Sequence, residues 1–383
     1  MRLDPGGLAP AEARDAARTA LWTFPSMLAS AFVVAWAAEA AQFFVSQGLA
    51  LALLAWIQVL PEFAVEAVIA WHRDVPLMTA NFTGALRLLT GLGWPLIWLV
   101  HAAAHRGPER WAAIALDDEH AVEVAGLVPP LLYFGWIVWK GTLGLGDAAV
   151  LLGCYALYLA TVNRIPPREH ETAGDVGLVP RAVLSLRPRG SALAIGALFA
   201  LGGALLYVSA HPFLASMLGI AAVAGVPAFV FVQWVAPFLS EFPEFTTTTY
   251  WARRGKPGMA LMNMASSNIN QWTVLAAMIP IVYSLSLGRP AAVPIGPHRL
   301  EVLLTLLQGA LGTALLANLR FEAYEALGLL LLWLVQFLAP GTRGWACAGY
   351  AAWLVAELAG AAWRREPPRA FVVLPRLWRR RAG

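Results

Sequence analysis

Apolar residues in this chain run in long blocks, without the alternation of half-buried strands or the single stripe of surface helices. A bilayer core about 30 Å thick needs roughly 20 mostly apolar residues per helix. Eleven stretches meet that need: residues 25–46, 48–71, 76–103, 122–140, 147–162, 191–209, 212–251, 257–287, 300–319, 324–338 and 345–363. The seventh is long and interrupted by Pro227, Pro237 and Pro243. A polar stretch bearing Pro and Arg, residues 163–190, separates the fifth from the sixth, and an Arg-rich tail closes the chain. Period-2 segments of barrel type are absent, so the spans are read as helices.

Composition narrows the class. The chain has 383 residues, 59% hydrophobic and 13% charged, whereas soluble domains hold roughly 45–50% apolar and about 25% charged residues. That disfavours a disordered chain, a nucleic-acid binder and a cytosolic enzyme together. Cys154 and Cys347 both lie in apolar runs and offer neither a disulfide framework nor a zinc site. The stretch from Met1 to Ala20 mixes Arg2, Arg14 and Arg18 with Asp4, Glu12 and Asp15, so a cleaved signal peptide is not expected.

The two halves resemble each other. Leu60-Pro61-Glu62-Phe63 sits late in the second span, with Asn81 beyond it near the start of the third. Phe242-Pro243-Glu244-Phe245 sits late in the seventh, and Asn263 follows Glu244 at the same separation as Asn81 follows Glu62. The Glu and the Asn therefore recur at one common offset, which indicates an internal duplication. Five spans per repeat is an odd number, so the second copy enters the membrane upside down, an architecture that in transporters places substrate at the repeat interface. The resulting division is a first repeat with an N-terminal extension over 1–163, a cytoplasmic loop over 164–190, a second repeat over 191–340, and an extra helix with a basic tail over 341–383.

Positive charge tests this count. With the central loop cytoplasmic, 18 of the 27 Lys+Arg fall on that side and 8 on the other, with Arg87 left inside a span. The bias predicts an outside N-terminus and a cytoplasmic C-terminus, in a bacterial inner membrane.

An ionisable group in a bilayer is costly and implies a partner or a water-filled path. Glu62 and Glu244 each follow a proline read as interior to a helix, where it would free the carbonyl four residues back, that of Ile57 or Leu239. Carboxylate and freed carbonyl are both hard oxygen ligands suited to Ca2+ or Na+. A mere kink with the Glu reaching water is the bland alternative for one such pair, and a poorer one for two in matching places. Gln58 and Glu66 flank Glu62 by one turn on the same face. Ser240 and Glu241 precede Glu244, and Thr246 to Thr249 follow it, either lining a pore or packing helices. Met262-Asn263-Met264-Ala265-Ser266-Ser267-Asn268 forms a small, polar stripe whose first-half counterpart, Ala80 to Arg87, keeps Asn81 and Gly84.

These paired stretches resemble the two alpha repeats of the sodium/calcium exchanger superfamily, the calcium/cation antiporters. The family pattern runs roughly G-T-S-x-P-E, a turn, then G-N-x-x-G-S-N-x-x-N, once per half. The resemblance implies an all-α polytopic membrane protein of two inverted five-helix repeats plus one additional C-terminal helix, about eleven in all. It implies cation-binding by Glu62 and Glu244, the acids that would ligate the metal Ca2+, with Ser240, Ser267, Asn81, Asn263 and Asn268 at the motif's hydroxyl and amide positions. The chain departs from the pattern at Gln58-Val59, Ser240-Glu241, Ala85-Leu86, Leu89 and Gln271. Most first-half hydroxyl ligands are therefore gone.

The expected function is antiport of Ca2+ against Na+ or H+ by alternating access. Arg87, if it pairs with Glu62, Glu66 or Glu241, substitutes for one bound cation; the alternative is that it snorkels or pairs structurally. Glu66 and Glu241 are candidate proton carriers, since a carboxyl taken out of water holds its proton more tightly. Gln58 and Gln271 complete the candidates for coupling. Glu39 and Gln42 are read as pairing across helices, and Glu169-His170-Glu171 as solvated loop. No nucleotide-binding, nucleophile-elbow or metalloprotease motif occurs, so neither enzyme activity nor a cofactor is expected; the partners are inorganic cations and the lipid bilayer, without nucleic acid. The rival reading is a non-transporting scaffold or sensor with a decayed ion site, or a carrier of another ion.

Overall fold

The computed structural model describes residues 10–44, 59–105, 111–165, 176–365 and 367–380. Helices dominate: α1 (Pro10–Ala41), α2 (Leu60–Trp71), α3 (Val75–Ala104), α4 (Ala121–Lys140), α5 (Leu145–Arg164), α6 (Leu178–Leu184) and α7 (Pro188–Ala224). There follow α8 (Ala228–Ser240), α9 (Phe242–Arg253), α10 (Pro257–Leu287), α11 (Arg299–Leu316), α12 (Ala323–Leu338), α13 (Arg343–Arg364) and α14 (Arg369–Arg380). Among the described residues seven helices are long and apolar enough to cross a membrane, or eight if the sharply bent pair α12 and α13 is one span.

Several expected spans match closely, among them 76–103 with α3, 122–140 with α4, 257–287 with α10 and 324–338 with α12. Others are corrected. The sixth and seventh spans do not divide at Pro212, because α7 runs through it to Ala224. A proline deletes one hydrogen bond, a loss that neighbouring groups in a bundle make good. The helix stops instead at Gly225, whose φ of 66° turns the chain so that the next N–H, that of Val226, reaches the Ala221 carbonyl at 3.0 Å, with Pro227 just beyond. The first span begins earlier than expected, at Pro10. Of the second, only the part from Val59 onward lies among the described residues, and Gln58 lies outside them. The central stretch contains the short α6.

The duplication runs through the secondary structure. Both ends of α9 stand at the repeat offset from those of α2, and α10 begins at the same offset from the start of α3. Each of α3 and α10 contains a five-residue π-helical turn, Leu89–Gly93 and Gln271–Leu275, and these too are separated by that offset. Helices α5 and α12 both open on a carboxylate that receives the N-cap N–H, Asp147 from Gly144 at 2.7 Å and Glu325 from Glu322 at 2.7 Å.

The chain forms two compact units, each drawing on both halves. One comprises Met1–Ala85, Glu169–Glu244 and Leu275–Val293. In it α1 and α7 pack along their lengths, with Thr23 and Ser216 hydroxyls 3.0 Å apart, and α2 is packed by α1, α7, α8 and the end of α10. Gly84 of α3 lies so close to α8 that a Cβ there would sit 1.9 Å from the Gln233 carbonyl oxygen, and Gln233 donates to Thr83 Oγ1 at 3.1 Å. The other unit comprises Leu86–Arg168, Phe245–Val274 and Pro294–Gly383, with α11 packed between α4 and α13, and α14 against α4.

Candidate functional site

Both Pro-Glu pairs open helices. Leu60, Pro61 and Glu62 are the first residues of α2, and Phe242, Pro243 and Glu244 the first of α9. The expectation of prolines inside a continuous helix is thus corrected: a proline lacks the N–H that the first turn leaves unused, so it belongs at a start. Each Glu stands in the first turn of its helix, where the helix dipole is positive. In the second half the break is narrow. Helix α8 ends at Ser240, Glu241 donates its N–H to the Pro237 carbonyl at 2.9 Å, and α9 starts at the next residue. With residue 243 a proline, the carbonyl of Leu239 still lacks its helical donor. An acid, a hydroxyl and main-chain oxygens therefore converge in sequence on one helix break.

In the unit that contains both Glu62 and Glu244, Glu62, Glu66, Asn81, Ser240 and Glu241 are buried, and Glu244 is half-buried. Asn81 Nδ2 donates to Glu66 Oε2 at 2.7 Å. The other Glu66 oxygen, Oε1, is buried without a hydrogen-bond partner among the described residues. Ser240 Oγ donates to the Pro237 carbonyl at 3.2 Å. The other unit holds Asn263, Ser267, Asn268 and Gln271 on α10; all but Asn263, which is half-buried, are buried. There Thr90 donates to Asn268 Oδ1 at 3.4 Å, a long contact, and Asn268 Nδ2 has no hydrogen-bond partner among the described residues. No group of three or more His, Cys, Asp or Glu among the described residues could hold a metal. A cation at Glu62 or Glu244 would thus need amide, hydroxyl and main-chain oxygens to reach the six to eight ligands that Ca2+ takes.

Arg87 has partners that the sequence did not suggest. Its fully buried guanidinium donates to Glu301 Oε2 of α11 at 2.9 Å and to Gln336 Oε1 of α12 at 2.8 Å. Arg343 donates to the other oxygen of Glu301. Gln308 Nε2 donates to the Arg87 carbonyl at 2.9 Å, and Gln336 Nε2 to Gln308 Oε1 at 3.0 Å and Tyr350 Oη at 3.3 Å. These distances describe a structural pairing of Arg87 within its own unit. The signal for the network was Gln308 and Gln336, two amides inside otherwise apolar runs.

The model of the family described as sodium/calcium exchanger protein matches residues 17–163 and 195–339. Among solved structures, the H+/Ca2+ exchanger CAX is 33% identical, with 94% of this chain and 91% of that chain covered and a TM-score of 0.86. The sodium-calcium exchanger NCX_Mj, soaked with Na+ and Sr2+, is 18% identical, with 86% and 99% covered and a TM-score of 0.54, a likeness of fold. No curated protein matches the chain.

Proposed function

The chain belongs to the sodium/calcium exchanger protein family, and from that membership we propose that it is a secondary antiporter moving Ca2+ across a membrane against protons. In this reading Glu62 and Glu244, each at the start of a broken helix, are the carboxylates that meet Ca2+. Asn81 and Ser240, in the same unit, supply neutral oxygens, and alternating access exposes the site to each side in turn. The family members whose titles name their ions are transporters of Ca2+ with H+ or Na+; the 33% identity to the H+/Ca2+ exchanger supports the proton. The reading also includes an outside N-terminus and a cytoplasmic C-terminus in a bacterial inner membrane, after the arginine bias.

The observation that carries the choice of proton is Glu66. It is buried one turn after Glu62, takes one hydrogen bond from a neutral amide, and keeps a second oxygen without a hydrogen-bond partner among the described residues. A carboxyl so placed is better suited to binding and releasing a proton than to standing permanently charged. The ionisable residues on the helices packed against α2 are Glu39 and, at its far end, Glu12, Arg14, Asp15 and Arg18 on α1, Arg189, Tyr207 and His211 on α7, Tyr283 on α10, and Glu241 just beyond α8; His72, Arg73 and Asp74 follow α2 itself.

The test is Ca2+ flux in proteoliposomes under an imposed proton or Na+ gradient. Uptake driven by the proton gradient in wild type and lost in Glu244→Gln is expected. Glu66→Gln should retain Ca2+/Ca2+ exchange while losing the response to the proton gradient. Uptake driven by Na+ alone would overturn the proton reading. Absence of flux under both gradients would overturn antiport and leave a scaffold or sensor with a decayed site.

A further inference from the structure

Helix α14 (Arg369–Arg380) divides lengthwise into three sectors at 100° per residue. Ala370 and Val373 are buried against the protein, where α14 packs on α4 and the turn at Asp118–His120. Phe371 and Trp378 lie together on a second, exposed sector. Arg369, Arg376 and Arg379 form a third, all exposed. The guanidinium of Arg164, at the end of α5, lies 4.4 Å over the Trp378 ring and adds a further cation to this end of the unit. A helix with an apolar side, exposed aromatic residues and a row of arginines is built for the plane where headgroups meet acyl chains.

Two apolar grooves flank it. The larger, about 840 Å³, runs between α4, α11 and α13 along Leu132, Leu307, Ala314, Leu354 and Leu358, and ends at Arg369. The smaller, about 400 Å³, runs between α4 and α5 along Ala125, Leu157, Leu374 and Trp378, and ends at Arg379. Each groove thus joins a hydrocarbon-lined trough to a guanidinium at the α14 end. Glu357 in the larger groove is engaged by Trp353 Nε1 at 3.0 Å. Arg369 donates to Asp118 at 2.8 Å, but both groups are about half exposed, and an exposed pair is weak enough for a phosphate to compete.

We propose that α14 is an interfacial helix that binds anionic phospholipid, one molecule per groove, with an acyl chain in the trough and the phosphate on Arg369 or Arg379. Charge complementarity selects the occupant: a zwitterionic lipid offers the same chains and phosphate, but its ammonium offsets the attraction of a cluster of four arginines. The site is independent of the ion path and of which side of the membrane α14 occupies.

The test uses the delipidated full chain in detergent, titrated with dioleoyl phosphatidylglycerol or dioleoyl phosphatidylcholine and followed by native mass spectrometry. Two phosphatidylglycerol molecules should be retained under conditions that strip phosphatidylcholine. Arg369→Gln/Arg379→Gln takes one arginine from each groove and should weaken retention of each lipid roughly fivefold, the effect of one arginine near an anionic headgroup. Arg253→Gln/Arg254→Gln, on exposed arginines away from both grooves, should leave it unchanged. Ala314→Trp fills the larger groove, keeps every arginine, and should remove one of the two lipids. Glycerol 3-phosphate, which has the headgroup charge without the chains, should not displace them. Equal retention of the two lipids, unchanged retention in Arg369→Gln/Arg379→Gln, two lipids still held by Ala314→Trp, or displacement by glycerol 3-phosphate would each overturn the proposal.

Discussion

Replacing Glu301 with Gln would strand two guanidiniums at once. Arg87 is the more exposed to the consequence because its side chain has no contact with solvent, whereas that of Arg343 is 14% accessible. Removing one partner of a buried pair typically costs about 3–5 kcal/mol, since the remaining charge stays out of water uncompensated. The converse change, Arg87→Met, leaves Glu301 still paired with Arg343 and mainly deprives Gln336 Oε1 of a donor, a loss of about 1–3 kcal/mol. With an unfolding entropy of about 2.1 cal/mol/K per residue over this chain, or roughly 0.8 kcal/mol/K, Glu301→Gln lowers the Tm by about 4–6 °C and Arg87→Met by about 1–4 °C. The double variant is expected to be no less stable than Glu301→Gln alone, because it removes the stranded charge as well as its partner. Thermal melts of the purified protein in one detergent, read by the loss of monodisperse protein, measure all three. The reasoning fails if Arg87→Met is the worse single variant or if the two losses simply add.

Gly84→Ala should cost at least the roughly 1–3 kcal/mol of an overpacked core, because its Cβ would meet the Gln233 carbonyl oxygen at 1.9 Å and only a helix shift relieves that; Gly146→Ala on α5, with nothing within 4 Å, is the neutral control in the same melts. Asp147→Asn should destabilise more than Glu325→Gln although both open equivalent helices and each takes a tyrosine hydroxyl, from Tyr133 at 2.8 Å and Tyr324 at 3.2 Å, since Asp147 also takes the Lys140 ammonium; the difference in Tm between the two variants checks it. Asn81→Leu removes the donor from Glu66 Oε2 and is expected to slow proton-driven Ca2+ uptake by at least about tenfold, measured in proteoliposomes beside the folded yield.

The repeat was legible in the sequence because its markers, Pro61-Glu62 with Asn81 and Pro243-Glu244 with Asn263, are chemically costly in a membrane and stand at one offset. Span edges at α3, α4, α10 and α12 were legible because hydropathy changes sharply at charged or glycine-bearing turns. Pro212 misled because a proline's local preference is outweighed when a packed neighbour such as α1 holds the helix on both sides of it. The two Pro-Glu prolines misled in the opposite sense: the break between Ser240 and Phe242 is one residue wide, too narrow for any run of loop residues to announce it, so only the backbone reveals it. The partner of Arg87 was beyond reach for a different reason. Glu301 lies in the other half of the chain and sits at a helix start, where a charge usually means an interface with water. No local rule announces the two π-helical turns, since their wider hydrogen-bonded loops are decided by how the whole helix packs.

Those two turns carry a record of ancestry. A π-helical turn adds a residue to a helix without lengthening its ladder, and two copies of one ancestral repeat would inherit it at the same position. One insertion in a single-repeat forebear, copied when the gene doubled, accounts for Leu89–Gly93 and Gln271–Leu275 together. The extra residue would then be older than the two-repeat chain itself. Since that event the copies have traded Ser266, Ser267 and Asn268 against Gly84, Ala85 and Leu86, while the irregular turn beside them has stayed in both. In this lineage the shape of the backbone has outlasted the side chains it was built to present.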